Sequence, residues 1–330
     1  MKAIKFFAIT AMAAAMFTSC SSEDELSQSN YPSDNIIRIT AGVNNAKTRA
    51  EGKGVSEMNN DFSLTIVNKN APKYTYTDKV FSKSSGDWAC SETLLWQNST
   101  ATVDIAAFAP AQTGKFNGVC DNDGNILSIP YSVASDQATS SDNNDLLYYY
   151  AKDFNPGTSL VNKKLNIQFN HAFCMIDIVV TLGTEFNKPA ILEKSPIVKV
   201  TLGGTKIAAN VDVKNAASFV TANGDATNIT TTKGTFTPAV DAEANADPEK
   251  NAISNFSCIA IPQTVAANTF KVSLMTADKL YEWTSAEQVE LKSGYRYKLE
   301  LTMGNNVVLL KDAISASPWG NGEGGSLETD

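Results

Sequence analysis

The side chains that could carry out chemistry are few, and they form no catalytic set. His171 is the only histidine, so a Ser/His/Asp or Cys/His arrangement would have to use it as its base. It lies at the junction of two apolar runs, which indicates a structural histidine. There is no zinc-ligand spacing, no P-loop spacing, and the scattered acidic residues mark no glycosidase pair. The sequence therefore predicts a protein that is not an enzyme and that uses no cofactor and no metal.

Cys20 is the residue whose position points to a covalent modification. A positively charged start precedes an apolar run over residues 6–17, which is too short for a membrane-spanning helix. Small residues and Cys20 follow, and this resembles a bacterial lipobox, in which the peptidase cuts before a cysteine that becomes lipidated; Phe17 stands where leucine is usual. We predict a signal peptide over residues 1–19 and a lipidated linker over residues 20–35. The alternative is an ordinary cleaved signal with an incidental cysteine.

Arg49 lies in a stretch that favours proteolysis. The run before it, residues 36–43, alternates apolar and polar side chains, which is the period of a half-buried strand. A polar segment then leads to Arg49 and Ala50, and loop tips with small polar residues are where proteases cut. A cut after Arg49 would remove one strand from a core. The side chains predicted to fill the groove of that core are Ile37, Ile39, Ala41 and Val43.

Composition favours an exported β protein. The chain has 330 residues, 43% of them hydrophobic and only 19% charged, so it can bury a core. A net charge of −8 leaves no basic surface to meet phosphates, and we expect no nucleic-acid partner. Export permits disulfides, but spacing assigns no pair among the four cysteines that follow Cys20, and Cys174 and Cys258 lie in apolar runs typical of buried free thiols. The four are Cys90, Cys120, Cys174 and Cys258.

The elements that must position these residues are strands. Short alternating or apolar runs recur between turn signals, and no sustained helical period is present. The sequence therefore predicts an all-β fold with two β-sandwich domains in tandem rather than βαβ units. The clearest break, Asn155-Pro156-Gly157, separates an N-terminal domain over residues 36–158 from a C-terminal domain over residues 159–330.

Several motifs, taken in order, resemble the fimbrillin-like proteins of Bacteroidales, the subunits of type V pili. The resemblance covers nearly the whole chain. It implies transthyretin-like β-sandwich domains, export as a precursor anchored by lipid in the outer membrane, and cleavage by a trypsin-like, Arg-specific protease, here after Arg49. Besides the lipoprotein start, it rests on Thr48-Arg49-Ala50, Asp145-Leu146-Leu147-Tyr148, Phe169-Asn170-His171-Ala172-Phe173, residues 293–299 (SGYRYKL), and Ile314 followed by Trp319.

The resemblance also implies that subunits polymerise by strand exchange and serve adhesion at the cell surface. Loss of the strand over residues 36–43 would leave an apolar slot and unpaired backbone groups, which are a template for another chain. A strand from another pilin subunit, in a homopolymer or a mixed fimbria, would fill the slot by strand addition. The expected donor is the strand over residues 307–316 at the end of the chain, although Asp312 interrupts its apolar face. The candidate donor side chains are Val308, Leu310, Ile314 and Ala316.

Two alternatives keep the fold. A surface lipoprotein that binds a glycan or a host protein without polymerising would use the tyrosines at residues 148–150 or Trp88 as contacts. Within the family, the chain could be a stalk, tip or anchor subunit; Arg49 argues against an anchor, and the apolar C-terminal hairpin argues for a stalk. A secreted hydrolase with dispersed carboxylates is a further alternative, which an activity screen addresses.

Overall fold

The structure, a computed structural model, describes residues 30–45, 54–58, 60–111, 126, 128–139, 144–187, 191–216, 219–241 and 250–319. Within these ranges almost every regular element is a strand, and the all-β class predicted from the sequence is confirmed. The one α-helix described, α1 (Pro156–Ser159), is a single turn in which the Asn155 side chain accepts a hydrogen bond from the Gly157 amide. No helix in the described part of the chain is long and apolar enough to cross a membrane.

Eight strands form one sheet that wraps around a hydrophobic core, here named the first core. Its alternating strands turn apolar side chains inward, as in β9, where Leu165, Ile167 and Phe169 are buried. From edge to edge the strands are β2 (Gly54–Glu57), β1 (Ile39–Asn45), β9 (Leu165–His171), β8 (Leu147–Phe154), β6 (Val103–Ala109), β3 (Phe62–Val67), β4 (Tyr76–Ser84) and β5 (Asp87–Cys90).

Smaller sheets surround a second core. The largest runs β15 (Thr232–Thr237), β16 (Ile253–Ala260), β10 (Cys174–Leu182), β21 (Tyr295–Met303) and β22 (Val308–Leu310), and β23 (Ser315–Pro318) also pairs with β21. The others are β14 (Ile229–Thr230), β11 (Lys199–Gly203), β18 (Lys271–Met275) and β19 (Leu280–Thr284); β13 (Val220–Ala226), β12 (Lys206–Val211) and β7 (Ile129–Ser132); and β17 (Gln263–Val265) with β20 (Val289–Leu291).

The two cores share a wall. In β6 every residue is buried, because Ile105 and Ala107 pack in the first core while Ala106 and Phe108 pack in the second. β9, which comes after residue 159 in the chain, belongs to the sheet around the first core. β7, which comes before residue 158, pairs with β12 beside the second core. The domain limits at residues 158 and 159, and the tandem transthyretin-like arrangement, stay predictions.

Two of the cysteines lie deep in the second core. Cys174 and Cys258 are fully buried and unpaired, as expected from their apolar runs. Burial raises the pKa of both thiols well above its usual range. The Cys174 thiol donates to the Ala260 carbonyl at 3.2 Å. They therefore pack as small apolar residues rather than as reactive groups.

Candidate functional site

The residues predicted to fill a groove form one face of the N-terminal segment, residues 35–45, which includes β1. Ile37, Ile39 and Val43 are 6%, 3% and 9% exposed, and all three pack in the first core. Ala41, on the same face, is only half-buried although its neighbour Ile167 on β9 is fully buried. The alternation read from the sequence therefore corresponds to an inward apolar face with one position that is only half-buried.

The backbone of the N-terminal segment joins two distant parts of the first sheet. Its beginning bonds to the stretch after β5: the Ile37 amide donates to the Leu94 carbonyl at 2.9 Å, and the Asn35 carbonyl accepts from the Trp96 amide at 2.8 Å. Its remainder, β1, pairs with β9 in parallel and with β2 antiparallel. Because β1 has a neighbour on each side, its removal would expose the edge of β9.

A polar contact holds the start of the N-terminal segment. The Asp34 carboxylate accepts two hydrogen bonds from the Arg38 guanidinium, at 2.6 and 3.0 Å, and one from the Ile36 amide at 3.1 Å. The bonds from Arg38, and next the bond from Ile36, hold the pKa of Asp34 well below its usual range. Both side chains are exposed, so this contact contributes little stability and mainly orients the backbone.

The predicted modification and cleavage residues, Cys20, Arg49 and Ala50, lie outside the described residues. In sequence, Arg49 falls between the last residue of β1, Asn45, and the first residue of β2, Gly54. The predicted cut thus lies between two strands that pair with each other. Its use as a cleavage site stays a prediction.

The predicted donor strand differs from expectation, because it is two short strands rather than one. β22 and β23 pair with the same side of β21, and five residue steps from Leu310 to Ser315 face only three steps from Leu301 to Lys298. The two extra residues form a bulge that carries Asp312 on the surface. We call residues 307–319 the C-terminal segment.

The C-terminal segment is attached along one side and on one face. Val308 is 6% exposed, and the other candidate donor side chains, Leu310, Ile314 and Ala316, are half-buried against the second core. Leu309, between them, is 57% exposed. The predicted face therefore does point inward, but the segment lies at the edge of its sheet.

A stack of two rings, supported by a carboxylate, holds the end of the C-terminal segment. The Trp319 ring lies flat on the His171 ring, with centroids 4.0 Å apart and planes 2° apart, and His171 Nδ1 lies 2.8 Å from Asp145 Oδ2. The Trp319 amide also donates to the Gly294 carbonyl at 2.7 Å. His171 is thus held by a ring stack and a polar contact, and its predicted structural role is compatible with this packing. The contribution of Trp319 was not foreseen, since it lies in a glycine-rich tail far from His171 in sequence.

One strand, β9, contacts both segments. Residues 165–169 pair with β1, and His171, the last residue of β9, stacks on Trp319. The N-terminal segment and the end of the C-terminal segment are therefore held by neighbouring parts of one strand.

The residues proposed for glycan or host-protein contact are largely packed. Tyr148 and Tyr150 face the second core, Tyr149 faces the first, and burial raises the pKa of Tyr148 and Tyr149. Trp88 is half-buried with its ring edge against Phe62. Among the described residues, no cluster of three His, Cys, Asp or Glu side chains could hold a metal ion.

These features define an all-β protein with two strand-like segments of contrasting attachment. The chain belongs to the fimbrillin-like family, whose model matches residues 48–319. Membership supports a role as a fimbrial subunit at the cell surface that associates with other such subunits, and the family is structural rather than enzymatic. The match begins at Thr48, so the N-terminal segment lies upstream of it.

Solved structures share the fold at low sequence identity. A protein of Bacteroides uniformis described as a cell adhesion protein has a TM-score of 0.57 at 13% identity over 87% of this chain and 99% of its own. A second such protein, from Bacteroides ovatus, has a TM-score of 0.58 at 14% identity, and the match covers 86% of this chain and 97% of its own. A fimbrial protein of Bacteroides vulgatus has a TM-score of 0.52 at 13% identity, and the match covers 86% of this chain and 99% of its own. No curated protein sequence matches the chain.

Proposed function

We propose that this chain is the structural subunit of a type V fimbria that serves adhesion. It is exported as a precursor lipidated at Cys20 and anchored in the outer membrane, cleaved after Arg49 by an Arg-specific protease, and polymerised by strand exchange. The observation that carries the proposal is the burial of Ile37, Ile39 and Val43 in a segment that ends shortly before Arg49. This segment is a continuous part of the first core, so its loss would leave a binding site.

The energetics favour retention of β1 until the chain is cut. Fully burying an Ile or Val side chain is worth about 1.5–3 kcal/mol, and the segment buries three of them. While β1 is covalently joined to β2, a competing strand must displace an intramolecular partner present at high effective concentration. After a cut the released segment can diffuse away, and the groove becomes available to another subunit.

The proposed donor is residues 307–316 of a second subunit. In its own subunit this stretch has one neighbouring strand, a bulge and an exposed Leu309. In the vacated groove it would gain regular pairing along β9 and bury its apolar face. Each subunit then donates with one end and accepts with the other. Such head-to-tail contacts do not close on themselves and build filaments.

The first test replaces the cleavage residue. Arg49→Ala should leave a lipidated monomer with no polymer, because the groove stays filled. Lys47→Ala is the matched control, since it removes a neighbouring cation and leaves the arginine. The readout is the ladder of SDS-resistant oligomers formed when purified precursor is incubated with an Arg-specific protease. Normal ladders from Arg49→Ala would reject the processing step, and absence of ladders from the wild-type chain would favour the non-polymerising surface lipoprotein.

The second test removes the donor. Deleting residues 307–330 should leave cleavage intact and stop filament growth. Mixing the truncated chain with wild type should shorten filaments, because a truncated subunit still accepts a donor but offers none. Polymer of wild-type length from the truncated chain alone would reject the donor assignment.

A further inference from the structure

The inward face of the N-terminal segment has one position that differs from the others. Ile37, Ile39 and Val43 are buried, whereas Ala41 is half-buried and carries the smallest side chain. Its paired residue, Ile167, is fully buried, so β9 itself is covered at this level. We call the positions of Ile37, Ile39 and Val43 the closed positions of the groove, and the position of Ala41, which is only half-buried, its open position.

The inward face of the C-terminal segment also has one exceptional residue. Every second side chain from Val308 to Ala316 is apolar except Asp312, which lies midway between Leu310 and Ile314. In its own subunit, Asp312 is exposed because the bulge lifts it from the sheet. In a regular strand it would share the face of its apolar neighbours. Burying its carboxylate there without a partner would be costly.

We infer that the donor strand seats with Asp312 in the place of Ala41. This inference rests on the proposed strand exchange and fixes its register. It puts the one carboxylate at the one open position and apolar side chains at the three closed ones.

The same anchor holds for either direction of the donor. If the donor runs in the direction of β1, Val308, Leu310 and Ile314 replace Ile37, Ile39 and Val43. If it runs the opposite way, the replacements in the same order are Ala316, Ile314 and Leu310.

Other registers would either bury the Asp312 carboxylate or turn the wrong face of the donor inward. Sliding the donor by two residues places Asp312 on Ile39 or on Val43, both closed positions. Sliding it by one residue turns the other face inward. That face would bring Lys311 and the small Ala313 into the groove. In the donor's own subunit, the opposite face, with Leu310 and Ile314, packs against the second core.

Cysteine cross-linking tests the register directly. In β1, Thr40 and Gly42 flank Ala41 and pair with Asn166 and Gln168 of β9. With Asp312 in the place of Ala41, residue 313 must lie beside one of these two. Subunits carrying Ala313→Cys are mixed with subunits carrying Asn166→Cys or Gln168→Cys, in a Cys90→Ser, Cys120→Ser background. They are then cleaved, allowed to polymerise, oxidised and run on a non-reducing gel.

The expected result is a cross-linked dimer with one of the two acceptors. A link to Gln168→Cys indicates a donor that runs with β1, and a link to Asn166→Cys indicates one that runs against it. Leu309→Cys and Ser315→Cys are matched controls, two or more residues from the predicted contact. Their yield should be lower by about tenfold or more, because disulfides need Cα atoms within about 7 Å.

Each contrary result has a distinct meaning. A ladder in which Leu309→Cys or Ser315→Cys cross-links as well as Ala313→Cys, or better, overturns the register and leaves strand exchange standing. No ladder from any mixture, with cleavage complete, overturns the proposed function and the register with it.

Moving the charge gives a second measurement. Asp312→Ala should polymerise within about twofold of wild type, because an open position needs no carboxylate. Leu310→Asp puts a carboxylate at a closed position in either direction and should slow polymerisation by about tenfold or more. Leu310 is half-buried at an edge, and circular dichroism checks that the variant is folded. Polymerisation of Leu310→Asp at the wild-type rate would contradict the inference.

Discussion

The N-terminal and C-terminal segments have similar patterns of apolar residues and different attachments. Both alternate apolar side chains with polar or exposed ones. β1 lies between two strands and buries its face in the first core, while β22 and β23 have one neighbour and a bulge. The two segments therefore differ in the number of paired sides and in the continuity of pairing rather than in apolar content. In the proposed assembly, the first needs a cut to become removable, and the second needs only to detach from an edge.

The largest expected difference is in stability. Ile39→Ala in the uncleaved precursor should lower the free energy of unfolding by about 2–5 kcal/mol, because a fully packed side chain leaves a cavity. Leu309→Ala, at an exposed position of the other segment, should change it by about 0.5 kcal/mol or less. Urea unfolding of both variants measures this. Equal losses would mean that the two segments are held alike.

A smaller effect is expected at the end of the C-terminal segment. Trp319→Ala removes the stack on His171, and an aromatic pair is worth about 0.5–1.5 kcal/mol beyond its burial. Amide exchange at residues 315–317 should then be faster by about two- to tenfold, since local opening costs less. β1 should keep its protection.

Two variants control this experiment. Trp319→Phe should retain most of the protection because a ring can still stack. Trp283→Ala removes a tryptophan that contacts Phe270 elsewhere in the same half and should leave residues 315–317 unchanged. Protection that does not respond to Trp319→Ala would show that pairing with β21 alone holds the segment.

The smallest effect concerns the contact that orients β1. Arg38→Gln should raise the pKa of Asp34 toward its ordinary value of about 3.9, since hydrogen bonds from Arg38 are the main cause of its lowering. A lowered carboxyl pKa contributes stability above the ordinary pKa, and this is lost as pH falls through the folded-state pKa. An NMR titration of the Asp34 carboxyl reads the shift. An unchanged pKa in Arg38→Gln would assign the lowering to the backbone instead.

Local periodicity predicted the strands but not their surroundings. The alternation of Ile37, Ile39 and Val43 identified the inward face of the N-terminal segment, because one face meets a core and the other does not. An alternating pattern at Val103–Ala109 would by itself give one buried face, yet the whole strand is buried, since cores lie on both faces. A period of two cannot report what covers the second face.

Pairing partners also lay beyond the sequence. β1 pairs with β9, and Trp319 with His171, across more than a hundred residues, and no local pattern connects them. The break in the donor strand was indicated only by Asp312, and the open position at Ala41 depends on neighbours in space. Cys20 and Arg49 were predicted from motifs that a peptidase and a protease recognise, so their use depends on molecules other than this chain.

The Trp319 stack has a practical consequence. A half-buried indole that moves into water shifts its emission to longer wavelength, so departure of the C-terminal segment should be visible without any label. Three other tryptophans contribute to the spectrum, and subtracting the signal of Trp319→Phe isolates the wanted one. The chain therefore contains its own optical probe, with which filament growth can be timed in a cuvette while it happens.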